Sequence, residues 1–231
     1  MSNYSFSLII PAAGGGSRMG KKLPKPYLPV AGRTILEHTV RKFTRLPGLA
    51  QVIVATSESY SSKTWEILCG LSLEEDVDLK VVPGGTERQD SIANALAEVS
   101  GEVELVAIHD AVRPFVDMKD IASCLNKAGE TGAAILGIPV QDTVKKVDDK
   151  LYIRDTPDRN FLWKAQTPQI FKKSIISEAY EYAGNSNYSG TDDASLVEFL
   201  GQPVSVVKGS RENFKITYPL DLQLAELLLN D

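Results

Sequence analysis

The sequence predicts an α/β protein: a Rossmann-like, mostly parallel sheet flanked by helices, with an inserted β-hairpin arm. Three observations carry this. Apolar runs of strand length alternate with amphipathic stretches of helix length along most of the chain. Turns rich in glycine or proline follow several strands, where open parallel sheets bind their ligands. The alternation lapses between Pro139 and Arg159, where two short extended runs flank a polar turn. The 231 residues fit one domain, 1–231, with the arm at about 139–159. A chain of this mass buries about seventy per cent of its surface, enough for a core without disulfide or metal staples.

The elements follow in order. Phe6 to Ile10 is an apolar strand stopped by Pro11. Thr34 opens a helix whose apolar face is Ile35, Leu36, Val40 and Phe43, with Glu37 placed to complete a capping box. Gln51 to Ala55 and Leu79 to Val82 are strands. Asp90 begins a helix over Ile92, Ala95, Leu96 and Val99. Leu105 to Ile108 is a buried strand ending at His109-Asp110. Asp117 caps a helix carrying Met118, Ile121, Ala122 and Leu125, with Gly129 as its stop. Thr143 to Val147 and Leu151 to Ile153, joined by Asp148-Asp149-Lys150, form the arm. Two strands alone are marginal in water, so the arm should lean on something else, a second subunit being one candidate. Thr191 caps a helix over Leu196, Val197, Phe199 and Leu200, Val204 to Val207 is a strand, and Pro219 opens a terminal helix through Leu228.

Composition narrows the function. The apolar fraction is 43% and the charged fraction 24%, which excludes disorder, collagen and coiled coil. With 25 basic and 30 acidic residues the net charge is -5, the reverse of a general nucleic-acid binder. An anionic substrate must therefore be held by a local basic cluster. Cys69 and Cys124 make neither a disulfide framework nor a metal motif, and each reads as a small core residue. No apolar run approaches the roughly 18 residues of a membrane span. Met1 to Ser7 lacks a basic, apolar export signal, so the expected setting is cytoplasmic. With only His38 and His109 in the chain, a histidine zinc site is not expected, and His38 reads as structural.

The richest segment is Pro11-Ala-Ala-Gly-Gly-Gly-Ser-Arg-Met-Gly20. Small residues after a first strand let backbone N–H groups approach a phosphate or a base. Two nucleotide patterns nearly match and both fail. The dinucleotide fingerprint needs glycine where Met19 stands. The Walker A pattern needs Ser or Thr where Lys22 stands, and Leu23-Pro24-Lys25-Pro26 cannot open its helix. A P-loop NTPase is thus disfavoured, while Arg18 and Lys25 in a glycine-rich loop favour phosphate binding. At the end of the buried strand, the Asp110 carboxylate suits a ribose or substrate hydroxyl or a magnesium shell, or simply an ion pair with Arg113 beside it. Gly84 to Ser91 can present backbone to a base and the Ser91 hydroxyl to a sugar. Pro11 onward, Gly84 onward and His109-Asp110 all fall at strand carboxyl ends and should share one rim.

Eight ordered segments, PAAGGGSRMG, PKPYL, GGTERQDS, HDAVRP, PVQDTVK, DRNFLWKAQTPQIF, TDDAS and NFKIT, together resemble the 2-C-methyl-D-erythritol 4-phosphate cytidylyltransferase family of the non-mevalonate isoprenoid pathway. The resemblance runs from about Ile10 to Glu226. It implies CTP and a sugar-alcohol phosphate as substrates, with magnesium on the triphosphate. It implies that Arg18 and Lys25 stabilise the reacting α-phosphate and that Lys215 and Arg159 act beside them. Pro11, Ala12, Ala13, Gly14, Gly85, Thr86 and Ser91 would meet the nucleotide. Asp110, Thr143, Arg159, Thr167 and Thr191 would meet the acceptor, Thr143 and Arg159 from the arm of a homodimer. Two departures stand out: Pro26 where glutamine is common, and Thr86 where an acidic residue is common. The related ribitol-5-phosphate cytidylyltransferases share HDAVRPF, but Pro11-Ala12-Ala13 and Leu162-Trp163 favour methylerythritol.

Overall fold

A computed structural model describes residues 4–14, 23–74 and 76–230. The strand β1 (Phe6–Pro11) sits near the centre of a seven-stranded sheet, between β4 (Leu49–Thr56) and β6 (Leu105–Ile108), parallel to both. Beyond β4 lies the parallel edge strand β5 (Asp78–Pro83). On the other side of β6 comes β10 (Trp163–Lys172), then β7 (Ala133–Pro139) and the edge strand β11 (Ser205–Lys208). β10 runs antiparallel to β6 and β7. Two ribbons stand apart: β2 (Pro29–Val30) with β3 (Arg33–Thr34), and β8 (Lys146–Val147) with β9 (Ile153–Asp155).

Alternating side chains divide the core between the two faces of the sheet. On β1, Leu8 and Ile10 join a cluster with Leu36 and Val40 of α1 (Ile35–Arg41), Leu68 of α2 (Ser61–Cys69), and Ile121 and Leu125 of α4 (Met118–Thr131). Ile9, between them, faces a second cluster with Ile92 of α3 (Arg88–Leu96), Ile176 of α5 (Lys173–Asn185) and Val197 of α6 (Asp193–Phe199). A third, smaller cluster packs Leu222 and Ala225 of α7 (Pro219–Asn230) against Val30, Val112 and Ile216. This last cluster anchors the segment that carries Lys215.

The doubly wound pattern is as the apolar alternation predicts, and local chemistry corrects several boundaries. Thr34 caps α1 by accepting from the Glu37 N–H, but the Glu37 carboxylate pairs with Arg33 and Arg41 and does not close the box. The box forms instead at α3, between Glu87 and Asp90, so that helix begins two residues before Asp90. Gly129 does not end α4: it lies inside the helix against the Tyr4 ring, where a Cβ would overlap the ring, and Gly132 at φ 94° makes the stop. Asp192, not Thr191, caps α6, because its carboxylate reaches the Ser195 N–H. Cys124 is buried, and burial pushes its thiol well above the usual range. Cys69 is exposed, because Leu68 before it takes the core position of the last turn of α2. The ribbon β2–β3, the helices α2 and α5, the strand β7 and the reversed strand β10 are additions to the predicted order.

The arm forms where the pattern lapses, with β8 shorter than the run from Thr143 to Val147 and β9 beginning two residues after the expected Leu151. Asp148 turns it by accepting from the N–H groups of Lys150 and Tyr152. Leu151, Tyr152 and Phe161 are 80%, 67% and 83% exposed, so the arm buries little against its own chain.

Candidate functional site

Pro11, Pro83 and Ile108 close parallel strands at one end of the sheet, and the loops that follow them line a cavity of about 350 Å³. Its wall contains Pro11, Ala12, Ala13 and Gly14 from the first loop, Gly85, Thr86 and Ser91 from the second, Asp110 from the third, and Lys25 and Lys215. All ten are sequence-predicted site residues, and the shared rim is as expected. The close approach of the first two loops depends on glycine. A Cβ on Gly84 would overlap the Ala13 methyl, and one on Gly85 would overlap the Asp90 side chain. Ser91 holds this turn together: its Oγ accepts from the Gly85 N–H at 3.0 Å and donates to the Glu87 carbonyl at 3.1 Å. Its proton is thus committed to the loop, and one Oγ lone pair remains to accept from a ligand.

A second cavity of about 310 Å³ adjoins the first and contains Thr167 and Thr191. The two share Arg88, Asp110 and Lys215 as a common wall. Register explains how Thr167 arrives there. Gln169 of β10 pairs with Ile108, the last residue of β6, and the β10–β7 pairing slips between Ala165 and Gln169. The irregular residues Gln166 to Pro168 therefore stand level with His109-Asp110 on the rim. Thr167 Oγ1 accepts from the Asp110 N–H at 3.0 Å and lies 3.0 Å from His109 Nδ1. His109 Nε2 is 3.0 Å from the Arg113 carbonyl, an acceptor, so the proton belongs on Nε2 and Nδ1 accepts from the Thr167 hydroxyl. Burial pushes this imidazole down to about 4, leaving it neutral near pH 7.

Asp110 is the electrostatic hub. Lys215 Nζ lies 3.0 Å and Arg113 Nε 3.3 Å from its Oδ2, and Arg88 Nε lies 3.5 Å from its Oδ1. Burial alone would raise this carboxyl, but the cations of Lys215, Arg88 and Arg113 outweigh it and hold the group well below the usual carboxylate range. The ion pair expected between Arg113 and Asp110 is present, and Arg113 Nη1 also donates to the Asn213 carbonyl at 2.7 Å. Lys215 is aimed by its neighbours: Phe214 stacks on Phe115, and the Ile216 N–H donates to the Val112 carbonyl. Lys25 enters from the other side, 7% exposed, its Nζ donating to the Thr217 carbonyl at 3.1 Å. Lys25, Arg88, Arg113 and Lys215 thus concentrate positive charge on the rim of a chain whose net charge is -5.

Two predicted residues lie elsewhere, and a third, Arg18, falls outside the described residues. Thr143 and Arg159 are exposed on the arm, where Arg159 Nη1 donates to the Gln141 carbonyl at 2.9 Å, and neither lines the two cavities. Conversely, sequence reasoning did not single out Arg88 or the buried Asp193 that holds it at 2.7 Å. The signal for Arg88 was its place in GGTERQDS, a cation directly after a glycine-rich turn. Asp193 lies in TDDAS, but its pairing with Arg88, 105 residues away, is fixed only by the tertiary fold.

Magnesium finds no ready cage. Among the described residues no group of three His, Cys, Asp or Glu side chains converges, and Asp110 is committed to three cations. The role of Asp110 as a direct magnesium ligand therefore does not fit this arrangement.

A Rossmann-like sheet with a glycine turn and clustered cations around two adjoining cavities defines an enzyme class that brings a nucleotide and a second anionic substrate together. The family model described as IspD, 2-C-methyl-D-erythritol 4-phosphate cytidylyltransferase, matches residues 6–231. The enzyme of that name from Desulforamulus reducens is 42% identical over 96% of this chain and 94% of its own. The chloroplastic one from Oryza sativa is 38% identical over 98% of this chain and 75% of its own. Among solved structures, the 4-diphosphocytidyl-2C-methyl-D-erythritol synthase of Anaerococcus prevotii superposes with a TM-score of 0.87 at 33% identity, covering 99% of this chain and 97% of that one. The chain belongs to the 2-C-methyl-D-erythritol 4-phosphate cytidylyltransferase family.

Proposed function

We propose that the protein transfers the cytidylyl group of CTP to 2-C-methyl-D-erythritol 4-phosphate, giving the CDP-alcohol and pyrophosphate. One observation carries this reading beyond family membership: two cavities meet at a wall made of Arg88, Asp110 and Lys215. The nucleotide fits the cavity of backbone and small side chains, and the acceptor the one that contains Thr167 and Thr191. An acceptor phosphate oxygen attacks the α-phosphorus of CTP in line. The new P–O bond forms as the bond to the β-phosphate oxygen breaks, and pyrophosphate leaves without a covalent enzyme intermediate. Both reactants are polyanions, so juxtaposition and charge neutralisation supply most of the acceleration. Lys25 and Arg18 face the α-phosphate in this reading, Lys215 the junction of the two substrates, and Asp110 accepts from acceptor hydroxyls while its cations keep it ionised. Magnesium enters as the counter-ion of the nucleotide's phosphates.

The same reading includes a homodimer in which the exposed apolar arm packs on a neighbour and brings Arg159 and Thr143 to the acceptor phosphate. It also includes a reducing, cytoplasmic setting. A pyrophosphate-release assay with CTP tests the function. Methylerythritol phosphate should give the higher kcat/KM, and a higher value with ribitol 5-phosphate would transfer the assignment to that related activity.

A further inference from the structure

A chain of hydrogen bonds and ion pairs runs from the common wall of the two cavities back to a buried carboxylate and a tyrosine. Asp193 opens α6, one residue after the Asp192 that borders the acceptor cavity, and is fully buried. Its Oδ1 accepts from the Tyr180 hydroxyl at 2.7 Å and its Oδ2 from Arg88 Nη2 at 2.7 Å. The other edge of the Arg88 guanidinium faces Asp110, with Nε 3.5 Å from Oδ1. The order is therefore Tyr180, Asp193, Arg88, Asp110, from α5 through α6 and the start of α3 to the end of β6. Arg88 is the member that belongs to the nucleotide loop, yet its anchor belongs to the acceptor side.

We propose that Asp193 and Tyr180 are positioning residues for the acceptor substrate, acting through Arg88 to fix the orientation of the Asp110 carboxylate. The proposal rests on the functional reading above and assigns it two residues that touch neither cavity's contents directly. The physical argument concerns the lone pairs of Asp110. Arg113 and Lys215 both lie on Oδ2. Arg88 alone among these three cations lies on Oδ1, so it sets the rotation of the carboxylate about its Cβ–Cγ bond. A planar guanidinium can bridge two carboxylates through different edges, which an ammonium cannot do in the same geometry. Arg88 is itself a long, flexible side chain, and the buried Asp193 removes that freedom. Burial would lower the Arg88 guanidinium, but Asp193 and Asp110 outweigh it and raise it further, so the bridge stays charged. The Tyr180 hydroxyl, raised well above its usual range by burial and by Asp193, stays protonated and serves as the donor that holds Asp193 in its rotamer.

The test separates the two substrates. In steady-state assays of full-length Asp193→Asn and Tyr180→Phe, KM for the acceptor should rise about tenfold or more for the first and about threefold for the second. KM for CTP should stay within about twofold of wild type. Arg88→Lys should resemble Asp193→Asn despite keeping its charge. A merely structural role would lower the active fraction or the melting temperature without splitting the two KM values, since KM does not depend on the active fraction. Tyr180→Phe keeps the test open should Asp193→Asn fold poorly. The wild type is first assayed with several polyol phosphates, and the best acceptor becomes the varied substrate. Unchanged acceptor KM in a folded Tyr180→Phe and Arg88→Lys, or an equal rise in both KM values, overturns the proposal alone. A wild type inactive on every polyol phosphate overturns the functional reading and this proposal together.

Discussion

The Lys215 ammonium and Asp110 Oδ2, 3.0 Å apart, join the last loop before α7 to the end of β6 at the point where the two cavities meet. The pair is asymmetric. Asp110 is nearly buried and keeps Arg88 and Arg113 if Lys215 is removed, whereas the Lys215 side chain is 42% exposed. Lys215→Met should therefore cost little stability, since a half-exposed ion pair contributes about 1 kcal/mol or less. Its kcat/KM should fall by on the order of a hundredfold, the scale of losing a cation aimed at developing charge. Thermal melting and pyrophosphate release measure the two effects, and activity near wild type would remove Lys215 from the chemistry.

Lys25 should behave differently. Its side chain is buried and donates to the Thr217 carbonyl. Lys25→Ala should lower turnover by about a hundredfold or more. It should also lower Tm by about 2–4 °C, since losing one such hydrogen bond costs about 1 kcal/mol in a chain of this size. Tm unchanged within error would show that this contact contributes nothing to folding.

The glycine turn yields a steric prediction. Gly84→Ala places a methyl against the Ala13 methyl and pushes the two loops of the first cavity apart. Overpacking of this kind costs about 1–3 kcal/mol. Affinity for CTP, measured by calorimetry without acceptor, should drop about tenfold or more. Wild-type affinity would mean that the nucleotide does not use this junction.

His109 sets a pH dependence of stability. Its imidazole titrates near 6.5 in an unfolded chain and near 4 in the folded protein, because burial disfavours the cation. Between those values the unfolded chain binds the extra proton. The stabilising margin is therefore complete above about pH 6.5 and is lost as pH falls toward 4, by on the order of 3 kcal/mol. Asp110, held below its usual range, adds a further loss only at lower pH, below about 4. Urea midpoints at pH 7, 5.5 and 4.5 should fall in wild type, and more shallowly in His109→Gln. Parallel slopes in the two proteins would assign the acid sensitivity elsewhere.

The arm is tested by complementation. If Arg159 serves the neighbouring subunit's site, Arg159→Ala and Lys25→Ala homodimers should each be nearly inactive. In a mixed dimer both lesions fall in one site and leave the other intact. Random pairing in a twofold dimer then restores roughly a quarter of wild-type activity per total subunit. Absence of recovery, with heterodimers confirmed by mass, would confine Arg159 to its own subunit or remove it from the reaction.

Residue spacing by itself determined the alternation of strands and helices and the rim shared by the loops after β1, β5 and β6, while the family resemblance supplied most of the ten expected residues that line the first cavity. These are local properties: periodicity, glycine-rich turns, and the rule that parallel strands present ligands at their carboxyl ends. The family resemblance also rests on ordered motifs and needs no coordinates. Tertiary structure alone decided what depends on register and distant packing. The slip in β10 lifts Thr167 level with Asp110, and no apolar pattern announces a slip. Gly132 rather than Gly129 ends α4, because the Tyr4 ring occupies the space beside Gly129. Asp193 finds Arg88 because α6 packs near the start of α3. To the neighbouring Arg113, legible in the sequence, the fold adds Arg88 and Lys215 around Asp110, and the energy of such a cluster depends on distances in space that separation along the chain does not encode.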